Sequence, residues 1–288
     1  MSPYATDAAF RAALEQRLLN LARSTSVNLE RLRRQVVLER LLARLDAAEP
    51  GLWVLKGAMA LEVRLGTAAR ATSDVDLGMR ESAVVSDIEV LAARLSQALA
   101  TPAGDPFVYQ LADMEPTSAS SRELARARID CRLAGRRFGR IQVDVARRPH
   151  ELADTERIRL HGHLRFAGIA APEVEVVSIT RHVGEKFHAM LRQFGDRENT
   201  RVRDLADLVI LCEHGLIQPV PAAEAVLRVF EEHGTDLPTG LPAFPPGWPE
   251  RYEQLAREHG IAASGFAEAN AVITTLWGEM FPPTREDS

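Results

Sequence analysis

The chain has 288 residues, 46% of them hydrophobic, and a formal net charge of −5, enough for one large domain or two ordinary ones around a substantial core. Its two cysteines, Cys131 and Cys212, are far apart and have no Cys-x-x-Cys or zinc-spaced histidine partner, so neither a disulfide framework nor a structural zinc is indicated. A basic-then-apolar leader is not evident and no apolar run approaches about 18 residues, so the expectation is a cytoplasmic chain that neither is secreted nor spans a membrane.

From residue 6 to about 48 the apolar residues recur at helical spacing. Phe10, Leu14, Leu18 and Leu21 share one face, and Leu29, Leu32, Val36, Leu38, Leu41, Leu42 and Leu45 continue it. Ser26-Val27-Asn28 divides the run into two helices, with Ser26 or Asn28 as a cap. Arg31, Arg33, Arg34, Arg40 and Arg44 are expected on a solvated face, contact with RNA being the alternative.

Residues 51–77 organise the chain. A short apolar run reaches Leu55, Lys56-Gly57-Ala58 follows, and Met59, Leu61, Val63 and Leu65 suit a compact buried helix; the stretch reads as strand, tight turn, helix and return strand. The return strand begins with Asp74 and Asp76. Period-2 alternation puts both carboxylates on one face while Val75 and Leu77 enter the core. Two carboxylates side by side repel unless a cation lies between them, an arrangement suited to magnesium and phosphate-bearing substrates. Gly57 at the strand-to-helix turn lets a phosphate approach the backbone. A turn with a solvated aspartate is the plainer alternative.

Further on, 84–100 reads as an amphipathic helix, 101–106 as a loop and 107–111 as a strand. Residues 129–133 and 140–146 alternate like strands joined by a basic hairpin, 134–139, and in the second Asp144 faces away from Val143 and Val145. Between Arg122 and Arg148 nine arginines face three acids, Glu123, Asp130 and Asp144, a local excess able to bind a polyanion on an acidic protein. The chain is irregular after Pro149, with His161-Gly162-His163 left as loop, until 175–179, the expected domain seam. Helices over 181–194 and 201–211 come next, separated by a polar turn, 195–200. On the second, Arg203 and Asp207 are spaced i, i+4 and Asp204 and Asp207 i, i+3. Helical segments at 222–233, 250–258 and 263–279 flank a proline-rich loop, 235–249. Of 35 basic residues only Lys56 and Lys186 are lysine. A compact ammonium in an arginine-rich chain marks sites where a planar guanidinium does not fit.

Gly57 with the paired aspartates resembles the polymerase-beta type of nucleotidyltransferase. More narrowly, Lys56-Gly57-Ala58 with Arg70-x-Thr72-x-Asp74-x-Asp76, then Lys186-x-x-Ala189 and Arg203-Asp204-Leu205-x-Asp207-Leu208, looks like the AbiEii/AbiGii (MenT-like) toxin family over roughly residues 55–211. Ala58 departs from the wider superfamily, which has Ser there, so no hydroxyl is offered to phosphate at that position. The resemblance implies an α+β fold: a mixed sheet flanked by helices over 51–175, N-terminal helices (1–50) packing on that core, and a C-terminal helical domain (176–288). It implies transfer of NMP from NTP to an RNA acceptor, most simply the tRNA 3′ end, blocking translation, in a toxin paired with a separately encoded antitoxin. Asp74, Asp76 and Asp144, the third carboxylate, would hold Mg2+. Lys186 and Asp204 would join them in catalysis, and Lys56, Gly57, Ala58, Arg203 and Asp207 would contact nucleotide or position those that do. Arg136, Arg137 and Arg140 would hold RNA. Alternatives are a transferase acting on an antibiotic-type small molecule or a protein, and a nucleotide-binding regulator without transfer activity.

Overall fold

The computed structural model describes residues 3–72, 74–80, 87–118, 121–146, 149–193, 195 and 198–282. Ser73, the 84–86 start of an expected helix, Phe194, part of the 195–200 turn and the side chains of Arg122, Glu123, Arg147 and Arg148 lie outside the described residues. The chain divides into two compact units, Met1–Thr67 with Ala71–Val177, and Ala68–Arg70 with Ser178–Ser288.

The first unit is a sheet with helices. α1 (Asp7–Thr25) starts where the Thr6 side chain accepts from the Ala9 N–H, and α2 (Leu29–Ala48) where Asn28 accepts from Glu30 and Arg31. Both caps satisfy donors that a helix start leaves without partners. β1 (Trp53–Lys56), α3 (Gly57–Leu65) and β2 (Asp74–Met79) follow, then α4 (Ile88–Leu99), β3 (Phe107–Ser118), β4 (Ser121–Leu133), β5 (Arg136–Ala146), β6 (Thr155–Arg159) and β7 (Glu173–Val177). The strands form one mixed sheet in the order β3-β4-β5-β2-β1-β7-β6, parallel at β2/β5 and β1/β7 and antiparallel elsewhere. α2 packs on β5 and β7, and α4 on β3 and α2. The alternate residues Val75 and Leu77 of β2, Ile141, Val143 and Val145 of β5, and Ala125, Ala127 and Ile129 of β4 are all buried. A fully buried Leu or Val contributes about 1.5–3 kcal/mol, so a slip of one residue, which would turn this face to water, is strongly disfavoured.

Several expectations change. Arg40 and Arg44 are buried, not solvated: Arg40 Nε and Arg44 Nη2 lie 2.7 Å from the two oxygens of Asp105, whose side chain is 0% exposed. Arg40 also donates to Ala103 O and Arg44 to Phe107 O, so the pair ties α2 to the loop before β3. Arg31 pairs with Glu62 and Arg34 donates to Thr72 O. Leu21, expected on the buried face, is exposed. The hairpin has a two-residue turn, Ala134-Gly135, both at positive φ, the backbone twist that suits tight hairpins. Arg136, Arg137 and Gly139 are therefore strand residues. β6 lies in the stretch expected to be irregular. The 161–163 segment is a turn whose Gly162 and His163 N–H groups both donate to the buried Glu39 carboxylate.

The second unit is helical: α5 (Ile179–Leu191), α6 (Val202–Glu213), α7 (Pro219–Glu232), α8 (Trp248–His259) and α9 (Phe266–Met280). Ser178 caps α5, prolines occupy the first turns of α7 and α8, and Gly260, in the left-handed conformation, ends α8. Phe187, Leu205, Leu208, Val229 and Ile273 are buried in this unit. Trp248 stacks on Phe244 of the proline-rich loop and donates from Nε1 to Asn199 O. No helix among the described residues is long and apolar enough to cross a membrane.

Candidate active site

In the first unit the site starts at the turn from β1 into α3. Gly57 has φ +62, and a Cβ there would overlap the carboxylate of Asp76. Glycine is required twice, for the left-handed backbone and for the close approach of the carboxylate. Ala58 follows, half-buried in the first turn of α3. On β2, Asp74 is exposed and Asp76 half-buried, with Val75 and Leu77 beneath them. The parallel register sets Asp74 beside Gln142 and Asp76 beside Asp144, so all three carboxylates share one face of the sheet.

The register extends this into a row. Arg126 on β4 lies opposite Asp144, Asp144 beside Asp76, and Asp76 opposite Lys56 on β1. The row runs cation, anion, anion, cation across four strands. Arg126 holds Asp144 by two parallel bonds, Nε to Oδ1 and Nη2 to Oδ2, each 2.8 Å. The Asp144 hydrogen bond and charge, with a further contribution from Asp74, hold the Arg126 guanidinium above its ordinary pKa. At the other end Lys56, expected to contact phosphate or to anchor the site, pairs with Glu151 of the turn Pro149–Leu152.

In the second unit, Lys186 of α5 reaches Asp204 Oδ1 at 3.0 Å and Asp207 Oδ2 at 2.6 Å, both on α6. Arg70, from the short segment Ala68–Arg70 that clusters with this unit, forks onto Asp207 with two 3.2 Å bonds. Arg201 lies 2.6 Å from Asp204. Burial alone would push the Lys186 pKa down, but Asp207 and then Asp204 outweigh it and raise it. Burial likewise pushes Asp207 up, yet Lys186 and Arg70 bring it below its ordinary value. The i, i+3 spacing thus sets two carboxylates on one lysine. Arg203 is exposed, and the arginines at these carboxylates are Arg70 and Arg201.

At the hairpin, Arg136 and Arg137 are exposed while their carbonyls accept from Arg11 of α1. Arg140 is also exposed but forks onto Asp130, at 2.7 and 2.9 Å. Within the basic stretch Arg126 is committed to Asp144, and Arg128 to Asp113 and Glu115, so the local excess of positive charge is smaller than its sequence count.

The model of a family described as nucleotidyl transferase AbiEii toxin, type IV toxin–antitoxin system, matches residues 40–284. The chain belongs to the AbiEii toxin family. It is therefore a nucleotidyltransferase of a toxin–antitoxin system, which implies an NTP substrate and an antitoxin partner. Two solved structures share the fold. The nucleotidyltransferase toxin MenT4 of Mycobacterium tuberculosis H37Rv aligns with a TM-score of 0.55 at 18% identity, over 94% of this chain and 89% of that one. A candidate nucleotidyltransferase of H. pylori aligns with a TM-score of 0.50 at 16% identity, over 88% and 97%. No curated protein matches the chain. In this AbiEii chain sequence reasoning passed over Arg126, Glu151 and Arg201, and quoted Arg70 in a motif without giving it a role. Arg70 was within reach as the one basic residue shortly before the paired aspartates, and Arg201 through its i, i+3 spacing to Asp204; Arg126 and Glu151 become visible only through strand register or tertiary packing.

Proposed function

We propose that the protein transfers a nucleoside monophosphate from an NTP to a hydroxyl of RNA, most simply the tRNA 3′ end, in a magnesium-dependent reaction that releases pyrophosphate. The observation that carries this reading is the set of three carboxylates, Asp74, Asp76 and Asp144, aligned on one sheet face with Gly57 at the turn against Asp76. An all-oxygen, anionic donor set fits a hard divalent cation. Asp74 and Asp76 would hold it, with Asp144 completing the face. When bound, such an ion draws charge from the triphosphate and favours departure of pyrophosphate.

The chain's own groups supply the rest. Gly57, with no side chain, leaves room for a phosphate oxygen to approach the start of α3, where backbone donors and the helix dipole favour an anion. The Lys186 ammonium has three donors, and Asp204 and Asp207 engage two of them. Held charged, it is suited to offset phosphate charge. Arg70 and Arg201 keep the two carboxylates in place. Exposed Arg136 and Arg137 suit contact with RNA phosphates, and contacts of that kind position a nucleic acid without reading its sequence.

The test incubates purified protein with each labelled NTP, magnesium and total cellular RNA, and sizes the products. The expected result is one labelled RNA band of tRNA length for the parent and none for Asp76→Asn. Label on a protein or a small molecule would replace the RNA reading, and absence of product with every acceptor would overturn transfer.

A further inference from the structure

β1 ends at Lys56, opposite Asp76, because the chain turns there into α3. Asp76 therefore has strand neighbours on both sides, Lys56 on β1 and Asp144 on β5, whereas in the ladder Asp74 stands beside β5 alone, at Gln142. Asp74 is also the first residue of β2, so its place depends on the backbone that leads into it.

That backbone is gripped from α2. Arg34 Nη1 donates to the Thr72 carbonyl at 2.7 Å, two residues before Asp74. One turn earlier, Arg31 donates from Nη2 to the Gly66 carbonyl at 3.1 Å and from Nε to Glu62 at 2.8 Å. Both ends of the link from α3 to β2 are thus fastened to one helix. The helix is a firm base: Leu32, Val36, Val37 and Leu38, on either side of Arg34, are buried, and α2 packs on β5 and β7. A bond from a guanidinium is charge-assisted and stronger than one between neutral groups, and Arg34 and Thr72 are both half-buried, which limits competition from water.

We infer that Arg34 is a positioning residue of the carboxylate face: by holding the Thr72 carbonyl it sets where β2 begins, and so where the Asp74 carboxylate stands relative to Asp76. The inference rests on the metal-dependent reading of that face given above. Arg34 acts through Thr72 and the backbone, not by touching ion or nucleotide. Position and charge then predict opposite signs. A guanidinium that acted through its charge would repel a divalent ion, so its removal would tighten binding. One that acts through position does the reverse, because loss of a residue that orients a metal ligand costs about 10–100-fold in affinity.

The experiment titrates nucleotide-free protein with Mn2+, following the free-ion signal by electron paramagnetic resonance, beside a thermal melt in metal-free buffer. Arg34→Met keeps an apolar stem and removes every donor, and is expected to bind Mn2+ about tenfold more weakly than the parent. Arg31→Met releases the other end of the link and takes a partner from the buried Glu62, so it should lower the melting temperature at least as much while keeping the parent's Mn2+ affinity. Arg34→Lys offers a single compact donor group in place of the fork and should fall between Arg34→Met and the parent. Unchanged or tighter binding in Arg34→Met would overturn the inference, as would equal weakening in Arg31→Met, which would mark a general loosening of the link. Asp76→Asn separates the two levels: if it removes Mn2+ binding while Arg34→Met changes nothing, only the role of Arg34 fails, and if it binds as the parent does, the metal reading itself fails. Circular dichroism of each variant establishes that it is folded. Should Arg34→Met not fold, Arg34→Lys decides in its place, weaker binding than the parent supporting the inference and equal binding overturning it.

Discussion

Asp74 and Asp76 lie on the water-accessible face of a sheet, while Asp204 and Asp207 are sunk in the helical unit with side chains 8% and 2% exposed around one lysine. The same side chain plays two physical roles. On the sheet, exposed Asp74 and half-buried Asp76 stay within reach of water, so a charge there costs less than one withdrawn from it. In the helical unit each charge is tolerable only because the others are there: a carboxylate or ammonium removed from water loses several kcal/mol of solvation, recovered only through close partners. The carboxylates proposed to take up an ion are therefore open to water, and those around the Lys186 ammonium are closed.

The largest effect should come from breaking the closed set. Asp207→Leu leaves Lys186 with one carboxylate and Arg70 with none, and should destabilise by about 3–5 kcal/mol, the range for stripping one partner from a buried pair. Asp76→Asn should change stability in metal-free buffer by less than about 0.5 kcal/mol while abolishing transfer. Urea unfolding of both variants makes the comparison, and equal losses would erase the distinction. Lys186→Arg keeps the charge but adds volume in a packed site, so neither stability nor transfer should recover fully.

Gly57 sharpens the comparison from the sheet side. Gly57→Ala asks a Cβ to enter the volume of the Asp76 carboxylate at positive φ. The left-handed backbone alone costs about 1–2 kcal/mol, and the displaced carboxylate should weaken Mn2+ binding about tenfold, while the Lys186 set stays intact. A thermal melt and a Mn2+ titration read the two parts. Unchanged Mn2+ affinity would mean that Asp76 does not need the seat Gly57 gives it.

How much of this was legible in the sequence depends on the distance over which each feature is decided. Alternation on β2 and β5 and the Asn28 cap are local, and the paired aspartates and the turn glycine are readable from neighbours alone. Burial of Arg40 and Arg44 is decided by Asp105, some sixty residues on, and their helical spacing looks like a solvated stripe until that partner is known. The position of Arg126 shows the same limit more finely. Counting back from the Leu133–Arg136 pair would set it opposite Val143, and an irregularity between Cys131 and Arg132 moves it to Asp144. Period 2 gives the face of a residue but not its register across strands. Arg70 and Asp207 are 137 residues apart, so a motif comparison could show both without showing that they touch.

The hairpin offers a smaller contrast within the first unit, between an arginine with a carboxylate in its fork and two without a comparable clasp. If Arg136 and Arg137 neutralise RNA phosphates, Arg136→Gln/Arg137→Gln should flatten the log–log salt dependence of tRNA binding by about 0.7–0.9 for each phosphate no longer neutralised. Arg140→Gln should change it less, because Asp130 already competes for that guanidinium. Filter binding across a salt series decides, and an unchanged slope in the double variant would move the RNA site elsewhere.

The last contrast is one of pH, and it lies in the helical unit. His188 stacks on His233 with ring centroids 4.0 Å apart, near Phe230, and its Nε2 lies 3.2 Å from the Thr235 hydroxyl. Burial first, then the charges of His233 and Arg192, push its pKa down to about 4, from an ordinary 6.5. Glu185 stands by the other ring, 3.8 Å from His233 Nε2. Because the folded protein keeps His188 neutral at a pH where the unfolded chain protonates it, the unfolded state binds more protons between these values. Stability must then fall as pH drops from about 6.5 towards 4, and this contribution levels off below. Urea midpoints at pH 7, 6 and 5 should decline more in the parent than in His188→Gln, which cannot take up the proton, and parallel declines would assign the acid sensitivity to other groups.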